Sequence, residues 1–309
     1  MVFEAKILAD SVSPANVRLT TFEVTFPRIV LAEFNTHRVF SRNSASSRAI
    51  PVENRIKRVR KDPYIPTSWG KNQKGMQAAE EFTGHESDLC KREWLAARDS
   101  AVRQAERLQE LGLHKQLTNR LLEPFMWHTC IVTATEWSNF FHLRNNAMAQ
   151  PEIQIPARMM QQLYESNEPE KLDYGEWHLP LVGQEDYDKA FEDNPKFRQG
   201  FATKQEAEDD HELRDLMIKI SVGRCARVSY LTHDGKRDPA ADIALHDSLL
   251  AAGHMSPFEH VARPTTLAYP VDQGPFYTDE ARMWSGNLRG WTSYRKLIPH
   301  EHDILGALS

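Results

Sequence analysis

The chain has 309 residues and a mass of 35.5 kDa, 40% hydrophobic and 26% charged, enough to bury a substantial core and unlike a disordered or collagen-like polymer. Its 38 Lys and Arg against 43 Asp and Glu leave a formal net charge of -5, so no overall basic field recommends nucleic acid as a partner and any anion site must be local. Three cysteines, Cys90, Cys130 and Cys225, form no CxxC pair, which excludes a disulfide scaffold, gives no structural zinc set and fits a reducing compartment.

The amino-terminal apolar run is too short and too acidic for a signal peptide, and no stretch approaches the ~18 apolar residues of a membrane span, which predicts a cytoplasmic protein without a membrane partner. From Arg18 to Val30, RLTTFEVTFPRIV nearly alternates Thr, Val, Phe and Ile, a strand broken at Pro27 and leading into a helix over Leu31 to His37. Ser41 to Arg48, SRNSASSR, carries too many hydroxyls and amides for a helix interior and reads as a loop. Asn72 to Leu113 places Trp94, Leu95, Val102, Leu108 and Leu111 at helical spacing, one or two amphipathic helices ending near Gly112. Cys130, in HTCIV, reads as an inert buried thiol, and His128 and His142 as packing histidines flanking an apolar helical region. Trp127, Trp137, Phe140 and Phe141 read as core.

Glu136 to Arg144 predicts a helix, and Pro151 opens another. Residues 167–207 are polar with scattered Pro, Asp and Glu, a surface insertion without assigned chemistry. Glu212 to Ser221 predicts a helix followed by RCARVSY, and Pro239 to Ala252 predicts one capped at Gly253, directly before HMSPFEH. Within 265–299, SGNLRGWTSYRKLIP echoes SRNSASSRAIP of Ser41 to Pro51 as a half-repeat, with a further strand expected there. The whole reads as one catalytic domain.

No GxGxxG follows a strand and no GxxxxGK[ST] occurs, so a Rossmann or P-loop enzyme is not supported. Instead, Arg, Ser, Asn and His recur in four segments, the donors needed to hold phosphate and a pyrimidine edge. FNTHRVFSRNSASSR, with His37, Arg38, Ser41, Asn43, Ser46 and Arg48, resembles the RHR-x7-S signature of the flavin-dependent thymidylate synthases. NRLLEP at Asn119 to Pro124 is similar to that family's AR-x-x-LP element, and TEWSNFFHLRNNAMAQPEI to its Asn-x4-Arg helix and AQ-x-EI. RCARVSY followed by GHMSPFEH is similar to the segment with which the family begins, so the motif order here resembles a circular permutation. The resemblance covers most of residues 15 to 165 and 221 to 262.

It implies an α+β fold with a mixed or antiparallel sheet flanked by long helices. The implied activity is reductive methylation of dUMP to dTMP, with FAD as cofactor and methylenetetrahydrofolate and NADPH as co-substrates. No cysteine nucleophile is required, which agrees with the reading of Cys130. Carried over by position, Arg48, Arg120 and Arg144 hold the nucleotide, Ser46 lies near its base and phosphate, and Arg144 is the catalytic group stabilising charge on the pyrimidine. His37, Arg38, Asn139, Ser256, His254 and Glu259 correspond to flavin-pocket positions, and no metal is implied. Without the motif, Ser46 would read as a loop-stabilising hydroxyl and His37 as a surface residue. The family is a homotetramer with sites built from several subunits, so a homo-oligomer is expected.

Four positions depart from the pattern: Thr36 replaces the first Arg of RHR, Glu33 a Gln, Ser44 a Glu and Met148 a His. A lost cation and a gained carboxylate disfavour phosphate unless Arg42, or Arg289, Arg295 and Lys296, compensate. The alternatives are therefore another pyrimidine deoxynucleotide such as dCMP, a hydroxymethyl product, or an inactive nucleotide-binding or assembly protein on the same scaffold.

Overall fold

Residues 4–27 form the hairpin from which the fold is built. In the computed structural model, which describes residues 2–75, 77–193, 210–230, 238–265 and 283–302, with backbone only for 228–230, strands β1 (Glu4–Val12) and β2 (Arg18–Pro27) pair antiparallel. Their turn places Asn16 at φ 57°, a left-handed conformation that Asn tolerates. Pro27 ends β2 as its spacing predicts, and a 3-10 turn (Arg28–Val30) leads into a short helix α1 (Leu31–Phe34).

Beyond α1 come strand β3 (Ser41–Ser44), helices α2 (Val52–Lys61), α3 (Gly84–Glu110) and α4 (Lys115–Thr118), a 3-10 turn (Asn119–Phe125) and strand β4 (Trp127–Ala134). Helices α5 (Ser138–Arg144) and α6 (Pro151–Ser166), strand β5 (Glu170–Lys171) and helix α7 (Gln184–Asp193) follow. The last part holds helices α8 (His211–Tyr230) and α9 (Pro239–Ala251), a 3-10 turn (Ser256–Glu259) and short strands β6 (Ala262–Pro264), β7 (Trp284–Ser285), β8 (Leu288–Arg289) and β9 (Trp291–Ser293).

The architecture is α+β. The main sheet runs β3-β4-β2-β1-β5, antiparallel except for the β1–β5 pair. Strand periodicity sorts its faces. Phe22, Val24 and Phe26 of β2 share one face with Cys130, Val132 and Ala134 of β4, and bury against Phe34, Phe40, Phe140, Ile153 and Met160 under α5 and α6. The opposite face carries Ile131, which packs on Cys225 of α8, and the hydroxyls of Thr21 and Thr133. Those buried polar groups are satisfied in one chain: His178 bonds Ser11 (2.9 Å) and Thr21 (2.8 Å), Thr21 bonds Thr133 (2.7 Å), and Thr133 bonds His260 (2.8 Å). Helices α2 and α3 form a further layer with Leu122, Phe125 and Met126.

Several expectations change. SRNSASSR is not all loop: Ser41–Ser44 is an edge strand whose polar side chains find partners instead of disrupting it. The segment around His128 and Cys130 is strand β4 rather than helix, because burial on both faces removes the alternation that marks a strand. Glu212 to Tyr230 is one continuous helix. In 167–193, Leu172, His178, Asp186 and Ala190 are buried, so this part is integral to the fold and not a loose surface insertion, while 194–207 lies outside the described residues. The half-repeat has no structural counterpart: Ser41–Ser44 is a strand, whereas Ser285 to Leu288 is a tight turn with Gly286 at φ 62°. Residues 266–282 of that stretch lie outside the described residues. Among the described residues no helix is long and apolar enough to cross a membrane.

Candidate active site

Asn43 joins three distant segments. Its Nδ2 donates to the Cys225 carbonyl of α8 (2.9 Å), and its Oδ1 accepts from Ser256 Oγ (3.2 Å). Strand β3, the RCARVSY helix and the HMSPFEH turn are thereby locked around a cavity of about 380 Å³, whose lining includes Ser46, Arg48, His254 and Ser256. The loop bearing Ser46 and Arg48 is pinned from outside: buried Asn119 donates to the carbonyls of Ser47 (2.7 Å) and Ile50 (2.8 Å), and Ser47 Oγ donates to Glu123. Arg120, next to Asn119, is exposed, lies 3.4 Å from Glu123, and lines a neighbouring groove with Arg28 and Asn35.

His37 and Arg144 form a second cluster. Arg144, the last residue of α5, donates from Nε to His37 Nε2 (3.0 Å) and from Nη2 to Thr36 Oγ1 (3.1 Å) and the Glu33 carbonyl (3.4 Å). Arginine only donates, so Nε2 is an acceptor and the His37 proton sits on Nδ1. The ring lies against Phe40 and Phe140, with centroids 5.6 and 4.9 Å away. Burial first, then the cations Arg144 and Arg42, push its pKa down to about 4, so His37 is neutral near pH 7 and presents a fixed acceptor to Arg144.

Arg38, Arg48, Asn139, His254 and Ser256 are exposed, and neither Arg38 nor Arg48 pairs with a carboxylate among the described residues. Glu259 is half-buried in an ion pair with Arg295 and does not line the cavity. Within one chain, Ser46, Arg48, His254 and Ser256 share a cavity and Arg120 adjoins their loop, whereas the His37–Arg144 pair stands apart from that lining. The cations expected to compensate for Thr36 are already neutralised: Arg289 by Glu136, and Arg295 and Lys296 by Glu301. Arg42 turns inward to the carbonyls of Phe34 (3.4 Å) and His37 (3.3 Å). Cys130 is buried, its thiol pushed up to about 12 by desolvation, which suits packing and not nucleophilic attack.

Sequence reasoning gave Asn43 and Asn119 no part beyond their motifs. Their signal was present: an amide on an inward strand position, and another just before a cationic motif, each requires bonding partners when buried.

A mixed sheet clasped by helices, with unpaired cations among the described residues of its connecting loops, defines an α+β scaffold with candidate positions for an anion. Residues 7–170 match the family model described as thymidylate synthase complementing protein. The chain belongs to that family. No curated protein matches the chain at significance. Among solved structures, a UMP/dUMP methylase, PolB, from Streptomyces cacaoi bound with 5-Br UMP is similar at 16% identity and a TM-score of 0.43, over 53% of this chain and 88% of that one.

Proposed function

We propose that the protein is a flavin-dependent enzyme that methylates the pyrimidine ring of a deoxynucleotide, dUMP in the first instance, with methylenetetrahydrofolate as carbon donor. The observation that carries this reading is the cavity closed by Asn43, which unites the Ser46–Arg48 loop with the His254–Ser256 turn although some two hundred residues separate them in the chain. Membership of the thymidylate synthase complementing family supports it.

The guanidiniums of Arg48 and Arg120 carry no committed charge beyond the long contact from Arg120 to Glu123, so they suit a nucleotide phosphate. Ser46 adds a hydroxyl beside them. Arg144 is held by neutral His37, which orients the guanidinium without cancelling its charge. Such a preorganised cation stabilises negative charge developing on a pyrimidine ring. Donor chemistry also fits a flavin: Arg38 is an uncommitted cation for a diphosphate, and Asn139, Ser256 and His254 offer exposed polar groups. When bound, the flavin, reduced by NADPH, supplies the hydride. Because the two clusters do not share one cavity within a chain, the complete site is assembled in a homo-oligomer, a tetramer by family resemblance.

A second reading takes dCMP as substrate. Glu33 Oε2 is buried with no hydrogen-bond partner among the described residues, and a carboxylate is an acceptor suited to the exocyclic amino group of cytosine.

The test reduces the FAD-loaded protein anaerobically, adds methylenetetrahydrofolate with dUMP or dCMP, follows flavin oxidation and identifies the product by mass. dTMP supports the first reading; a methylated or hydroxymethylated cytosine nucleotide supports the second. Failure to bind flavin or turn over either nucleotide rejects both and leaves a binding or assembly role.

A further inference from the structure

Helix α2 reads VENRIKRVRK, in which Arg55, Lys57, Arg58, Arg60 and Lys61 face a single acid, Glu53. Arg60 has a partner in Glu106. Arg55 is different: it is 4% exposed, its Nε has no acceptor, and no carboxylate forms an ion pair with it among the described residues. A buried guanidinium without an anion is expensive, and folds keep one only when something supplies the counter-charge.

Arg55 lines a cavity of about 540 Å³ between α2 and the start of β4. Arg58 and Lys61 line the same cavity, as does Asp62, so three cations face one carboxylate. The remaining wall is apolar, from Val59, Phe125 and Met126, and is completed by Trp127, whose buried Nε1 also lacks an acceptor. Glu123 lies near enough to favour the charged form of Arg55, but its carboxylate is shared among Arg28 (3.1 Å), Arg120 (3.4 Å) and Ser47 and makes no ion pair with Arg55. Burial and the neighbouring cations Arg28 and Arg58 lower the Arg55 pKa to about 10, so it remains charged at neutral pH.

The geometry points to a second ligand site here, for an organic anion whose phosphate or carboxylate meets Arg55, Arg58 and Lys61 and whose flat body lies against Phe125 and the Trp127 indole. Guanidinium forks suit either head group, and the Trp127 side chain adds an aromatic wall. The lining shares no residue with the Arg48 cavity, so this site is separate from the proposed active site and does not depend on that assignment.

Two sources share this chemistry, a nucleoside monophosphate and an aromatic amide of glutamate. The indole N–H signal of Trp127 in NMR, assigned with Trp127→Phe, reads the site directly. The full-length protein is titrated with dUMP, p-aminobenzoylglutamate, inorganic phosphate or chloride. We expect a saturable shift with one of the two organic anions, weakened about tenfold or more in Arg58→Gln/Lys61→Gln, whose side chains are exposed and form no ion pair among the described residues. The stronger ligand identifies the source. Arg55→Met should raise the unfolding midpoint of the ligand-free protein, since it removes a buried charge that has no ion-pair partner among the described residues. The proposal is overturned if neither organic anion moves the signal at millimolar concentration, if phosphate and chloride act equally well, or if the double variant binds unchanged. It is also overturned if Arg55→Met destabilises the protein, or if the double variant dissociates an oligomer while the probes leave the signal still, which would assign the cations to carboxylates of a second copy.

Discussion

Arg144 touches three groups, and only one of them, the His37 imidazole, is titratable. Its bond to His37 Nε2 requires a neutral imidazole, and its own charge helps keep the imidazole neutral. Arg144→Ala should therefore lower kcat by about a hundredfold or more while nucleotide still binds, and should also move the His37 pKa up from about 4. Steady-state kinetics and imidazole NMR titration check the two halves separately; wild-type turnover in the variant would remove Arg144 from the chemistry. Asn43→Asp keeps the acceptor for Ser256 but loses the donor to the Cys225 carbonyl, leaving that buried oxygen without its partner. Nucleotide affinity should fall by about tenfold, since one hydrogen bond between segments is lost, and an unchanged Kd in calorimetry would show that the cavity does not need this link. At this scale the candidate residues were legible through their motifs: Ser46 and Arg48 read toward a nucleotide and His254 and Ser256 toward a flavin, and that these four line one cavity came only with the fold. Arg55 was not legible, since a cation in a basic helix looks like any solvated one until its burial is known.

Helices α8 and α9 meet where side chains are smallest. A Cβ on Gly223 would stand 2.3 Å from the Asp242 carbonyl oxygen, so only glycine allows this approach. The contact is then locked by charge: Arg224 bonds Asp242 (3.0 Å) and both carboxylate oxygens of Asp186 in α7 (2.6 and 2.7 Å), and Arg227 pairs with Asp242 (2.6 Å). Gly223→Ala must push the helices apart and should cost about 1–3 kcal/mol, read as a lower denaturation midpoint; an unchanged midpoint would mean that the pair slides freely. Element boundaries were readable where capping chemistry is explicit, as at Pro151, Pro239 and Gly253. Strand β4 was hidden because Cys130, Ile131 and Val132 are all buried, and β3 because its hydroxyls and amides imitate a loop.

For the molecule as a whole, acid is the stress that the buried histidines predict. Burial lowers the pKa of His128, His178 and His260 to about 3 each, and His37 falls to about 4. Unfolded, each takes up a proton near 6.5. The unfolded state thus binds more protons between those limits, so this stability is fully present above about pH 6.5 and is lost as pH falls toward the folded values, by up to about 1.4 kcal/mol per unit for each group. Denaturant titrations between about pH 6.5 and 4.5, above the range where most carboxylates titrate, should show a steep fall, and a flat profile would contradict the neutral state of these rings. The motif order is also a property of the whole. Ala262, just beyond the HMSPFEH segment, packs in one cluster with Val17 and Leu19, and the Trp291 indole donates to the Val17 carbonyl (3.0 Å). Gly290, at φ 69°, makes room for Val17, which would lie 3.0 Å from an added Cβ. The HMSPFEH segment therefore ends beside the start of β2, so two motif-bearing segments far apart in the chain are adjacent in space.

The order of these elements along the chain has a consequence during synthesis. Strands β1 to β4 leave the ribosome together, but Cys225, which covers Ile131 on the outer face, emerges on the order of ten seconds later at ordinary elongation rates. For that interval Ile131 lacks the helix that buries it, so the outer face of the sheet is finished only when α8 has been made.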